Sequence, residues 1–428
     1  MKKISILTTL LLAFISNFAF AQIDDYAASA IPEALKKDAH SIIRYEKTTF
    51  EVSSINKGII RYKGIITILD KKSPYSDVVV FYDKSFDRAE LFNIKIYDAK
   101  GKVIKKIKDK EVSDHSSYSS GVFDDGRYKY FDATHTEYPY TVEFESTRNR
   151  GMTMFYPDWN IVPDFEVSVE KSEFEIITPE EIKVRYKLKN IDIEPVVKTE
   201  KGSNYYNFSV GNIPAFVDEP ISPTEYAVLP HVFFAPNKFA MADYEGDMSS
   251  WENLGKFSYD LNKGRDELSD DMKKTVADLI EKAENEEQKI RILYDYLQEN
   301  MRYVSIQLGI GGWQTFDAKY VERNKYGDCK ALTNFMKSML TEAGIESYAA
   351  LIRSGDDVYD QSLDFSTSDF NHVVLFVPDV TKNGMWLECT SADVPAGVIG
   401  GANEDRFALL VKPEGSELIR TPSSTKRR

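Results

Sequence analysis

Tyr326-Gly327-Asp328-Cys329-Lys330-Ala331-Leu332 opens the most regular amphipathic stretch of this 428-residue chain. Beyond it, Leu332, Phe335, Met336, Met339, Leu340 and Ala343 recur at three- and four-residue steps, which predicts a helix with one apolar face. Asp328 suits the N-cap, Gly327 permits a tight entry and Gly344 is a natural stop. Cys329 falls on the face of Leu332, Met336 and Leu340, so its thiol points to the interior or to a cleft. Free N–H groups at a helix start, with the positive end of the helix dipole, favour thiolate over thiol. Asp328 opposes this slightly, so a cationic partner is wanted.

Two later residues answer that need. His372 begins Val373-Val374-Leu375-Phe376-Val377, an apolar run typical of a central strand that Pro378 ends. Trp386-Leu387-Glu388-Cys389-Thr390 reads as the next strand, and a carboxylate there is expensive to bury unless paired. Orienting His372 would pair it. A thiol at a helix start, then an imidazole and a carboxylate on later strands, is the order of a cysteine nucleophile with its base and orienting acid. Register decides whether they meet. A tight hairpin at Asn383-Gly384 would set Glu388 opposite Asp379, about 20 Å from His372. A wider loop from about Val377 to Asn383 would bring it to the imidazole.

Two cysteines in an exported chain could instead form a Cys329–Cys389 bridge. Strand alternation turns Cys389 away when Glu388 turns toward His372, which favours two free thiols, Cys389 being a small buried hydrophobe.

Working outward, Lys2 and Lys3 precede an apolar stretch, Ile4 to Phe20, and Ala19-Phe20-Ala21 stands before a cut at Gln22. Residues 1–21 read as an export signal rather than a retained anchor, so the mature chain is expected to be periplasmic or secreted, with no membrane span. The charge, 54 − 68 = −14, disfavours nucleic acid, because phosphate binding needs a basic surface. Neither a metal-ligand spacing nor a phosphate loop is evident, so no cofactor and no metal is expected; Gly309-Ile310-Gly311-Gly312 does not fit a phosphate loop.

From about Ser41 to Phe216 the apolar period is two, with turn residues between short strands, which predicts an antiparallel β-sandwich over residues 22–216. Prolines 214, 220, 223, 230 and 236 then mark a connector over 217–250, with no regular helix or central strand. Helical periods begin after Trp251. Ser269-Asp270-Asp271 opens one helix and Asn285, with Gln288 three residues on, opens another. The core is expected over 251–412 and a tail over 413–428. The class is therefore α+β.

The block from Met301-Arg302-Tyr303-Val304 through Gly311-Gly312-Trp313-Gln314 to Tyr326–Leu332, ending in Ala343-Gly344-Ile345, resembles the transglutaminase-like core. More closely, it resembles exported bacterial proteins in which an N-terminal β-domain of unknown function precedes that core. The resemblance spans roughly Ser41 to Val411, with its specific motifs between Arg302 and Thr390. It implies a papain-like arrangement, a nucleophile helix packed on an antiparallel sheet that holds the His and the acid. Cys329 matches the nucleophile and His372 the base, while Glu388 stands where most of the superfamily has Asp. Trp313 or Gln314 could help bind the oxyanion or simply pack the loop. Such proteins often continue into a further C-terminal β-domain, so the stop at Arg428 reads as a shortened form or an incomplete gene product. The expected activity is cysteine-dependent acyl transfer on an amide of a peptide, protein or glycopeptide, with water or an amine as acceptor. The competing expectation is a non-catalytic envelope module in which the β-domain and an aromatic groove of Tyr303, Trp313 and Trp386 bind a polysaccharide or a partner protein, with the triad residual.

Overall fold

A computed structural model describes residues 25–117, 122–221, 223–356 and 360–423. The export signal expected over 1–21 lies outside the described residues.

Alternating apolar residues build the N-terminal half. Ser41–Ser54 and Lys57–Ile68 form a long hairpin at the centre of an eight-stranded sheet. Tyr140–Arg150 and Asp87–Tyr97 extend it on one side. On the other side Val167–Pro179 joins, followed by Ser203–Ile213. All pairings in this sheet are antiparallel except one, where Val167–Pro179 runs alongside Ser41–Ser54. The inward residues Phe50, Ile60, Phe174, Ile176 and Phe208 meet a smaller sheet of Trp159–Asn160, His231–Pro236 and Val184–Lys189. Phe174 stacks on Phe234 across that interface at 4.8 Å between ring centroids, an aromatic contact worth about 1 kcal/mol beyond its buried area.

The stretch expected to be a connector contributes structure of its own. His231–Pro236 is the middle strand of the smaller sheet, buried at every position. Pro230 precedes it and Pro236 closes it, so every ladder donor between them is intact. The tail also departs from expectation. Glu417–Arg420 pairs with Phe407–Leu410 and forms the edge of the core sheet.

The core begins with helices whose caps are legible in the chain. Ser250, Ser269, Asn285, Asp317 and Asp328 each accept a hydrogen bond from a first-turn N–H, each typically worth about 1 kcal/mol. The helix Cys329–Glu342 buries Leu332, Phe335, Met336, Met339 and Leu340 almost completely. Each such side chain gains about 1.5–3 kcal/mol from leaving water. Gly344, at φ +76°, lets the chain leave the helix, and the Ile345 N–H returns to the Leu340 carbonyl. This helix packs on a five-stranded antiparallel sheet ordered Met385–Leu387, His372–Val377, Tyr348–Ile352, Phe407–Leu410, Glu417–Arg420.

The halves are joined by backbone and by charge. Ser305–Gln307 of the core pairs in parallel with Val122–Asp124 of the N-terminal half. Asp125 accepts the Gly309 N–H at 2.8 Å. Arg185 donates to the carbonyls of Met248 and Ser366. Among the described residues no helix is long and apolar enough to cross a membrane.

Candidate active site

Three elements converge on one cleft. Cys329 is the first residue of the nucleophile helix, directly after its Asp328 cap. The cap is a carboxylate beside the thiol, but Lys330 Nζ lies 2.5 Å from Asp328 Oδ2 and offsets its charge. His372 begins the second strand of the sheet, facing Ile352.

The hairpin from His372–Val377 to Met385–Leu387 pairs Val377 with Met385. Its loop therefore spans 378–384, the wide form rather than the tight turn. Continuing that register sets Glu388 beside Val374, on the same face as His372. The result is a hydrogen bond of 2.9 Å between His372 Nε2 and Glu388 Oε2. With Nε2–H donating to the carboxylate, Nδ1 is the nitrogen left to face the Cys329 thiol, whose side chain also acts on the ring. Burial works against a charged imidazole here. The Cys329 and Glu388 side chains outweigh it and push His372 up to about 10.

Glu388 is itself held by neighbours that the chain gave no reason to single out. Its Oε1 accepts the Thr390 N–H at 3.1 Å and the Thr390 hydroxyl at 2.5 Å. Its Oε2 accepts Asn403 Nδ2 at 2.9 Å, and that amide also donates to the Ile399 carbonyl at 2.8 Å. Tyr294 donates to the Glu388 carbonyl at 2.8 Å. Burial raises the carboxyl, but His372 and Thr390 outweigh burial and keep it below its usual range. Asn403 and Thr390 sit in irregular segments where no periodicity marks a role, so only the folded neighbourhood reveals them. Cys389 is a free thiol in the helix–sheet core, and burial pushes it well up.

This geometry agrees with what the chain matches. The profile of the transglutaminase-like superfamily covers residues 273–405, and that of a domain of unknown function (DUF3857) covers residues 56–217. Residues 273–405 are a transglutaminase-like core. The fold of the whole is similar to a candidate protease of Parabacteroides distasonis, with a TM-score of 0.65, 18% identity and coverage of 89% of this chain and 72% of that one. A candidate cysteine protease of Cytophaga hutchinsonii is 12% identical, with a TM-score of 0.23 over 87% of this chain and 93% of that one. No curated protein matches the chain.

The cleft at the transglutaminase-like core has a volume of about 860 Å³ and is lined by Cys329, His372, Trp313 and Phe370. Asp83, Asp124 and Phe155 of the N-terminal half complete its wall, so the site lies on the seam between the halves. The thiol thus reaches a cleft and is not sealed beneath residues 214–236. Trp313 stands on the wall with its ring against Phe86 and Phe155, at 5.9 and 5.7 Å. Gln314 turns away. Its amide donates to the Leu261 carbonyl at 2.9 Å and the Tyr244 hydroxyl at 3.2 Å, which removes its side chain from the oxyanion role expected of it. The aromatic groove of the competing expectation does not form. Trp386 is buried against Phe376 inside the sheet, while Tyr303 is exposed. Two residues before Glu388 along the chain, Trp386 shares its sheet face and packs there against Phe376 and Val374.

Proposed function

We propose that the protein is a cysteine-dependent hydrolase of peptide or protein amides, of the protease or amidase type, acting through Cys329, His372 and Glu388. The observation that carries the reading is the 2.9 Å contact between Glu388 and a His372 that lines the same cleft as Cys329. Cys329 Sγ attacks the amide carbonyl while its proton resides on His372 Nδ1. The tetrahedral oxyanion is met by first-turn N–H groups of the nucleophile helix, with Trp313 closing the wall. The intermediate collapses as the C–N bond breaks, and His372 returns the proton to the leaving amine. Water, deprotonated by His372, then attacks the thioester and releases the acid and the thiol. Glu388 stays ionised throughout, holding the imidazole in the required tautomer, and Asn403 and Thr390 keep the carboxylate in place. An amine in place of that water would give transamidation by the same groups. We place this activity outside the cytoplasm, on the strength of Lys2, Lys3 and the apolar run 4–20.

Alkylation by iodoacetamide with mass-spectrometric readout tests the ion pair directly. At neutral pH Cys329 should be labelled well before Cys389, and His372→Ala should slow it at least tenfold. Release of amines from a peptide mixture should stop in Cys329→Ala. Equal labelling of the two thiols, unchanged by His372→Ala, would sink the proposal. N-terminal sequencing of the protein from a fractionated host should find the mature chain starting at Gln22.

A further inference from the structure

The cleft does not stop at the nucleophile. Tyr348–Ile352 is the middle strand of the five-stranded sheet. On one face its Ala350 and Ile352 are completely buried, in a cluster with Val374, Trp386 and Ile399. A central strand covered by helices ordinarily buries its other face too. Here Ala349 and Leu351 on that other face are only half-buried. They line the cleft together with Val373, Val411, Phe257 and Leu261. The Trp251–Asn262 helix covers the sheet toward Phe407–Leu410, and the nucleophile helix covers it toward His372–Val377. Between these helices the floor of the sheet is open apolar surface, continuous with Cys329.

Two element geometries measure this arm. His372 pairs with Ile352, so Ala349 lies three strand residues farther in, about 10 Å. Along the nucleophile helix, Lys337 lines the cleft eight residues beyond Cys329, about 12 Å along the axis. The polar groups on that flank already have partners. Asn334 Nδ2 donates to the Arg265 carbonyl at 2.7 Å, and Lys337 lies 3.5 Å from Asp266. An apolar occupant leaves both pairs intact, whereas a charged one would compete with them.

We infer that this arm is a specificity subsite that receives a large apolar side chain, of the Phe or Leu type, from a peptide whose scissile carbonyl sits at Cys329. The inference rests on the proposed amide hydrolysis for its substrate class, but its test needs no reaction. A linear acyl chain has the same apolar chemistry, and a separate arm of the experiment distinguishes it.

Isothermal titration of the full-length Cys329→Ala protein compares acetyl-Ala-Ala-Phe-Ala-Ala-amide, its all-Ala counterpart and decanamide. The Phe peptide should bind at least tenfold more tightly than the all-Ala peptide, as burial of a Phe side chain requires. Ala349→Phe, which fills the arm, should abolish that difference. Leu351→Ala, which keeps the strand but removes part of the wall, should weaken the Phe peptide at least threefold more than it weakens the all-Ala peptide. That second variant decides the question even where Ala349→Phe does not fold. Equal affinity of the two peptides, or binding of neither at millimolar concentration, overturns the inference. Decanamide binding more tightly than the Phe peptide overturns the peptide assignment in favour of a linear chain. Because the titrated protein has no nucleophile, these outcomes are separate from any failure of Cys329 to react.

Discussion

Glu388→Gln isolates the charge that holds His372, and its effect is calculable in sign and size. The substitution keeps an oxygen able to accept from Nε2–H but removes the negative charge 2.9 Å from the ring. His372 stands at about 10 against an ordinary 6.5, with Cys329 and Glu388 both raising it and burial lowering it. A Cys329→Ala background removes the thiol's share and leaves Glu388 against burial. Losing one partner of a buried ion pair costs about 3–5 kcal/mol, and each pKa unit is about 1.4 kcal/mol. Allowing for the retained hydrogen bond, Glu388→Gln should lower the His372 midpoint by about two units, followed by NMR of its ring nitrogens. The stability difference between the two proteins has a definite pH window. A raised His contributes fully below its ordinary value and loses that contribution as pH climbs toward 10. A lowered Glu contributes above its ordinary 4.5 and loses that contribution as pH falls. Urea unfolding should therefore show the largest gap between about pH 4.5 and 6.5, shrinking as pH rises through the His372 midpoint of the Cys329→Ala protein, which lies below the value the thiol helps to set. A His372 midpoint that moves by less than half a unit, or a gap that widens with rising pH, would refute the charge-pair account.

Asn403→Ala deletes the amide shared by Glu388 and the Ile399 carbonyl, and should cost about 1–3 kcal/mol in chemical denaturation. Cys329 alkylation should slow as well, whereas Asn403→Asp, which sets a second carboxylate against Glu388, should be worse on both readouts. Tyr294→Phe removes the donor to the Glu388 and Val394 carbonyls and should lower the urea midpoint by an amount equal to about 1–3 kcal/mol. Cys389→Ala leaves Cys329 labelling unchanged and costs about 1 kcal/mol of stability, as loss of a small buried hydrophobe should. Phe335→Ala opens a cavity beneath the nucleophile helix and should cost about 3–5 kcal/mol.

What could be read beforehand was local. The stripe Leu332, Met336, Leu340 and the cap at Asp328 needed only a period of 3.6 and a hydrogen-bond preference. Pro378 favoured the wide hairpin loop that brings Glu388 to His372. What escaped was non-local pairing. Nothing in Val167–Pro179 announces that it will run parallel to Ser41–Ser54, because the partner is more than a hundred residues away. His231–Pro236 was obscured by prolines at its ends, which punctuate a strand as readily as they forbid one. Asn403 and Thr390 carry no periodic signal, and their roles exist only once Glu388 is buried beside them. Gln314 illustrates the converse, since its amide is captured by the Leu261 carbonyl, an acceptor that sequence proximity could not suggest.

The pairing of Ser305–Gln307 with Val122–Asp124 has a consequence for the gene. A transglutaminase-like core excised at its profile boundaries would carry a bare strand edge just upstream of the nucleophile, and its cleft would lack the wall formed by Asp83, Asp124 and Phe155. Substitutions along Val122–Asp124 and along Ser305–Gln307 must therefore be tolerated jointly. The two halves should be inherited as a pair and resist shuffling onto unrelated partners, even though each has a hydrophobic core of its own.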